Sequence, residues 1–273
     1  MNTPDTDKRF AGSIPKLYDE HLVPLIFEPY AADIAQRLAA RPPMTRVLEI
    51  AAGTGVVTRK LAALLPGSVA IVATDLNPAM LERAAAVGTA RPVTWLPADA
   101  MQLPFGDGEF DAVVCQFGVM FFPDKAHAFA QARRVLRPGG VLLFNVWDRI
   151  EENEFAQTVT ASLAASFPDD PPRFMARTPH GHFDLAAIAR ELLAGGFTAP
   201  PQVHTVAARS RAASARLAAF AYCQGTPLRN EIETRDASRL NEVTEAAAQA
   251  LALRFGSGPI DGKIQAHVVG VER

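Results

Sequence analysis

The chain has 273 residues, 49% of them hydrophobic, enough for one large domain, or a domain with a sizeable insertion, around a proper buried core. A net charge of -2 with no Lys/Arg-dense stretch disfavours a nucleic-acid partner, and two widely separated cysteines, Cys115 and Cys223, read as reduced thiols suited to a cytoplasmic protein. The polar first residues carry no apolar signal-peptide core and the longer uncharged stretches are interrupted by Pro or Gly, so neither a leader nor a membrane span is expected.

In chain order, the second half of residues 18–40 is apolar at helical spacing, with Ile34 and Leu38 among the repeats. Pro24 and Pro29 predict a break there into a short segment and a longer helix. Pro42-Pro43 closes this N-terminal helical cap, residues 1–43. A strand over 45–50 then meets the turn Ala51-Ala52-Gly53-Thr54-Gly55 and a helix over 56–65 that stops at Pro66-Gly67. The next strand, 68–74, is a near-continuous apolar run ending at Asp75. Asn77 is placed to cap a helix over 78–87, with Pro78 in the first turn, where its missing N–H costs nothing. A short strand over 93–96 leads to Ala98-Asp99-Ala100, and a strand over 110–116 leads to a helix over 125–136. Arg137-Pro138-Gly139-Gly140 is then a turn before the fifth strand, 141–147. Such alternation implies a parallel sheet covered on both faces.

The last third is less regular. A helix is expected over 153–167, a Pro-rich loop over 168–181, an amphipathic helix over 184–193 and a strand over 202–208; 210–255 reads as mostly helical and 263–271 as the last strand. The helical stretch between these strands is too long for a turn. It reads as an insertion over the ligand edge of the sheet, giving a main domain, 44–273, with helical insertions at about 148–183 and 210–258.

Ligands of open α/β sheets bind outside the carboxyl ends of the strands, near the point where strand order reverses. The first four strands end at the glycine turn, Asp75, Asp99 and Gln116, so all four ends can face one crevice. Asp75 follows Gly55 by the interval typical of a carboxylate that accepts from two ribose hydroxyls. Thr58 stands where a dinucleotide fingerprint needs its third glycine, which speaks against NAD or FAD and hence against a nicotinamide-dependent oxidoreductase.

Across roughly residues 45–147 the ordered blocks VLEIAAGTG, VATDLNPAML, LPADAMQLPF, FDAVVCQFGVMFFPD and RVLRPGGVLLFNVW resemble the class I S-adenosylmethionine-dependent methyltransferases. Within them the chain is similar to the small-molecule ubiquinone/menaquinone-biosynthesis, or type 11, group. It departs at Ala51, where such families usually have Gly. The resemblance implies a Rossmann-like, doubly wound, mostly parallel α/β sheet of about seven strands, the last one antiparallel. It also implies S-adenosylmethionine as methyl donor, S-adenosylhomocysteine as product, in-line displacement and no metal. Glu49 and the backbone from Ala51 through Gly53 to Gly55 would surround the methionine moiety, and Asp75 would bind the ribose. Leu76 and Met80 would lie against the adenine, Asp99 would accept from its amino group, Ala100 and Met101 would frame the ring, and Gln116 would lie by the ammonium.

The Asn/Asp-Pro-Pro-aromatic signature for nucleic-acid bases is replaced by Gln116-Phe117-Gly118-Val119, which argues further against a DNA substrate. The expected acceptor is a small, at least partly apolar molecule, with oxygen, nitrogen and carbon all open as the methylated atom. Tyr18, Phe27, Phe117 and Phe121 are candidates for touching it, and packing explains them about as well. Any general base would come from His21, His127, His180 or His182, among which the sequence makes no choice. The pair His180-x-His182 has metal-like spacing but no companion ligands, so an exposed loop is the better reading. A catalytically silent S-adenosylmethionine-binding regulatory protein on the same scaffold is the alternative. The oligomeric state is not indicated.

Overall fold

In the computed structural model, which describes residues 5–8 and 10–273, a 3₁₀ turn, Asp5–Lys8, precedes α1 (Ile14–Leu17), which continues as a π-helical stretch, Tyr18–Phe27, and leads directly into α2 (Glu28–Ala39). The break expected at the two prolines is absent. Pro24 lies where hydrogen bonds step five residues rather than four, so its missing donor does not interrupt an α-helical ladder, and Pro29 takes a first-turn position of α2. There follow β1 (Arg46–Glu49), α3 (Val56–Leu64), β2 (Ala70–Asp75), α4 (Pro78–Val87), β3 (Thr94–Pro97), β4 (Phe110–Gln116), α5 (Lys125–Val135) and β5 (Leu136–Trp147). The last third contains α6 (Glu154–Ser166), α7 (Phe174–Arg177), α8 (Leu185–Ala194), β6 (Gln202–Ala212), α9 (Ala215–Gln224), α10 (Leu228–Asp236), α11 (Leu240–Phe255) and β7 (Ile260–Glu272).

The seven strands form one sheet in the order β3-β2-β1-β4-β5-β7-β6. β1 pairs parallel with β2 and β4, β2 with β3, and β4 with β5. Gly140 accepts from the N–H of Arg273 while Asp148 donates to the carbonyl of Gln265, so β7 runs antiparallel to β5. Thr205 meets His267 and Arg209 meets Asp261, which makes β6 antiparallel to β7 and returns it to the common direction. The sheet is therefore mostly parallel with its last strand antiparallel, as expected. Val47, Leu48, Ala112, Val113 and Val114 are fully buried because these central strands are covered on both faces. Strand order reverses at β1 and β4, the junction at which such sheets place ligands.

One boundary differs in kind. The Arg137–Gly140 turn lies inside β5, not before it. Phe110 pairs with Leu136 and Ala112 with Val141, so β5 gains five residues while β4 gains two, and the surplus bulges out with Gly139 at φ +76°.

The chain divides into two compact units. The first comprises the described residues up to Glu28, together with Trp147–Gly181 and Ala207–Ala266; the second comprises Pro29–Val146, His182–Val206 and His267–Arg273. Within the first, α11 packs along α9 and α6. The Arg177 guanidinium there donates to Asp7 at 2.7 Å and to Glu231 at 2.6 Å, and the Thr178 hydroxyl also donates to Asp7. Within the second, α5 packs on α8 and the glycine turn joins β1 to α3.

Candidate functional site

The turn after β1, in the second unit, places three residues in the left-handed region within five positions: Ala51 at φ +53°, Gly53 at +57° and Gly55 at +82°. An alanine pays about 1–2 kcal/mol for that conformation, so it needs external support. Support comes from both neighbouring strands, since Ile50 donates to the Val114 carbonyl and Ala52 to that of Thr74. A further accommodation lies at Gly118: a Cβ there would sit 2.5 Å from the Ala51 Cβ and 2.7 Å from Cys115 Sγ. The methyl of Ala51 thus fills space that Gly118 leaves. At Gly55 a Cβ would meet the Trp95 ring at 2.9 Å, so packing as well as φ demands glycine there.

Two buried carboxyls flank this turn. Glu49, 1% exposed, accepts from the Thr58 hydroxyl at 2.5 Å, and burial pushes its carboxyl up to about 8. Asp75 accepts from the Gly53 N–H through one oxygen and from the Asn77 N–H through the other, both at 2.8 Å, and burial raises it too despite these bonds. Asn77 does stand at the start of α4, yet its side chain makes no cap; the amide turns back to Asp75 at 3.4 Å. Beyond Asp75, Leu76 is 53% exposed and Met80 is buried.

Asp75 pairs with Pro97 in the β2–β3 register, which brings the next loop alongside. There Asp99 is exposed and accepts from the Met101 N–H at 2.9 Å, Ala100 is buried, and His127 Nε2 lies 2.9 Å from the Met101 carbonyl. On the other side of β1, Gln116 accepts from the Asn145 amide at 3.4 Å, while the Asn145 side chain accepts from the Phe117 N–H at 2.9 Å. Phe117, held at φ +50°, sets its ring edge-on to Tyr30 at 5.4 Å; Phe121 is half-buried.

Residues 48–144, which contain all of these strand ends, match the family described as a methyltransferase domain, type 11. They are a class I methyltransferase domain of the type 11 group. Over 105 residues the chain is 42% identical to the ubiquinone/menaquinone biosynthesis C-methyltransferase of Ectopseudomonas mendocina, covering 37% of this chain and 41% of that protein. Over 165 residues it is 30% identical to the enzyme of the same name from Stutzerimonas stutzeri, covering 56% and 64% respectively. The chain thus spans about two fifths of the first curated relatives it matches. Phosphoethanolamine N-methyltransferase 2 of Haemonchus contortus, solved with S-adenosylhomocysteine, shares the fold at TM-score 0.59 and 16% identity, covering 96% of this chain and 56% of that one.

The methyltransferase domain joins Glu49, Gly53 and Asp75 through the turn, groups Asp99 with Met101 and His127, and groups Gln116 with Phe117 through Asn145. Tyr18 and Phe27 belong to the first unit, where they stack at 5.0 Å. His21 is edge-on to Phe220. The exposed-loop reading of His180 is overturned: it is 4% exposed, with Nδ1 2.9 Å from the Asp148 carbonyl. His182, in the second unit, has Nε2 3.0 Å from Glu191 without hydrogen-bond geometry. Among the described residues no group of three or more His, Cys, Asp or Glu could hold a metal, and no helix is long and apolar enough to cross a membrane.

Five residues of the site escaped the sequence reading in their present roles. Thr58 was visible only as a missing glycine, yet its hydroxyl holds Glu49. Asn77 was visible only as a cap. Trp95, Gly118 and Asn145 gave no local signal, because each acts on a residue distant in sequence.

Proposed function

We propose that the chain transfers a methyl group from S-adenosylmethionine to a small, partly apolar acceptor by in-line displacement. The observation that carries this reading is the pair of buried carboxyls, Glu49 and Asp75, flanking a turn of left-handed residues inside a type 11 methyltransferase domain. Burial raises both, so the site favours a ligand bearing positive charge, and the donor carries an ammonium and a sulfonium. When bound, the donor supplies a methyl group already activated by its sulfonium.

In this reading the chain's own residues bind and orient. Glu49 and the backbone of Ala51, Gly53 and Gly55 hold the methionine end. Asp75 offers the ribose the oxygen that accepts from the Gly53 N–H and can accept again, while its other oxygen already takes the Asn77 N–H and side-chain amide. Leu76, Met80, Asp99, Ala100 and Met101 frame the adenine, and Gln116 lies by the ammonium. The helical insertions and N-terminal cap supply acceptor specificity, the protein works in the cytoplasm, and neither nucleic acid nor metal takes part.

Titration calorimetry with S-adenosylmethionine and S-adenosylhomocysteine, followed by a radiolabelled-methyl assay over a panel of small acceptors, tests the proposal. Binding of both with methyl release is expected. Absence of binding of either sinks the reading, and binding without release across the panel turns it into the silent-binder alternative.

A further inference from the structure

In the second unit, helix α5 presents His127, Gln131 and Arg134 on one face, spaced by four and then three positions, beside the loop that follows β3. That face takes up carbonyls of the loop. His127 Nε2 lies 2.9 Å from the Met101 carbonyl. The Arg134 guanidinium, which also donates to Gln131 at 3.0 Å, donates to the Leu103 carbonyl at 2.8 Å and to the Phe105 carbonyl at 2.6 Å. Arg134 therefore braces the far end of the loop, and His127 acts at the end nearest Asp75.

At that near end the Asp75 carbonyl accepts from the Ala98 N–H at 3.0 Å. Asp99 then closes a turn on itself: its carbonyl accepts from the Gln102 N–H and its Oδ1 from the Met101 N–H, both at 2.9 Å. Oδ2 of this exposed carboxylate makes no hydrogen bond to a described residue. The Met101 carbonyl takes no bond from the turn and is held from outside, by His127. A carbonyl can only accept, so Nε2 carries a proton and is not available as a base. His127 is itself fixed, because its backbone N–H donates at 2.9 Å to Asp124, the N-cap of α5. The turn that carries the open Asp99 oxygen is thus anchored on one side by Asp75 and on the other by α5.

We propose that His127 is a positioning residue for purine recognition: by holding the Met101 carbonyl it aims Asp99 Oδ2 at an exocyclic amino group, so that the protein tells adenine from hypoxanthine. The inference rests on the methyltransferase reading, in which this loop frames the adenine of S-adenosylmethionine. His127 then acts through Asp99 and touches neither the methyl group nor its acceptor.

The full chain is titrated calorimetrically with S-adenosylhomocysteine and with S-inosylhomocysteine, which carries an oxygen in place of the exocyclic amino group. The wild type should prefer the adenine ligand by roughly tenfold or more, the scale of one hydrogen bond to a charged group. In His127→Ala the preference should fall most of the way to parity. In His127→Gln, whose side-chain amide can donate to the same carbonyl, part of it should return. His127→Leu, read like the alanine variant, keeps the comparison open if that one fails to fold. A general loosening of the site would lower both affinities together and leave their ratio alone. Asp99→Ala should lose the preference outright, and adding His127→Ala should change the ratio no further. No wild-type preference, a ratio unmoved in the alanine and leucine variants, or a further change in the double variant overturns the proposal. A wild type that binds neither ligand fails the methyltransferase reading and the inference with it, whereas binding of S-adenosylhomocysteine with an unmoved ratio fails the inference alone.

Discussion

At Glu49 the fold keeps a proton that solvent would remove. In the unfolded chain this carboxyl ionises near 4.5, and in the folded one near 8. Below 4.5 both states hold the proton, so its stabilising contribution is fully present there; it is lost as pH rises through the folded value. Glu49→Gln should therefore melt with a flatter pH dependence between those two values, and an unchanged slope by thermal melting would exclude Glu49 as the group responsible. His180 works in the opposite direction: lowered from 6.5 to about 4, its contribution is present above 6.5 and disappears as pH falls through 4. Asp75→Ala removes an acceptor shared by two backbone amides and, in the proposed role, by the ribose. Donor affinity should fall by about 1.5–3 kcal/mol, read by calorimetry, and unchanged affinity would contradict that role. Asp75 could be found from its interval after Gly55, whereas Asn77 could not be read correctly. A short amide can cap its own helix or turn to a neighbouring carboxylate, and residue type alone does not choose between them.

Among the elements, the sequence reading was most accurate where a strand or helix stands between strong punctuation. Helix α4 and strand β4 have the predicted limits, because Pro78, Gly88 and the turn before Phe110 bound them sharply. It fell short at β5, where the turn chemistry of Pro138-Gly139 was correct but a bulge can carry a turn within a strand. At β6 the apolar alternation fades after Ala208, while Arg209 and Arg211 continue the strand by pairing across to Asp261. The turn and the segment after β4 are coupled by size through Ala51 and Gly118. Gly118→Ala should destabilise the protein by about 1–3 kcal/mol through overpacking. Adding Ala51→Gly removes the facing methyl and the left-handed alanine together, so the double variant should regain part of that loss in chemical denaturation, the approach to Cys115 Sγ remaining. Strict additivity of the two changes would show that the contact is not shared.

For the molecule as a whole, the parallel core was legible because five ordered blocks repeat one strand-to-helix logic, and the family match over residues 48–144 covers that same stretch. In the first unit α6, α9, α10 and α11 were legible as helical stretches, but their packing was not. Its helices are held by contacts between segments far apart in sequence, as where Arg177 joins Asp7 to Glu231. Arg177→Ala would leave Asp7, 1% exposed, without its cation, and should cost about 3 kcal/mol, while donor affinity measured well below the melting temperature should stay close to wild type. A large loss of donor affinity with unchanged melting would contradict that assignment. The protonated Glu49, held by Thr58, has a last consequence under the proposed function. Below about 8, hydrogen ions and the donor's ammonium compete for one carboxylate, so donor affinity should weaken as the medium acidifies. The demethylated product carries the same ammonium and suffers the same competition. The product lacks the sulfonium charge, however, so acidity would weaken the donor at least as much as the product, and product inhibition would deepen as the medium acidifies.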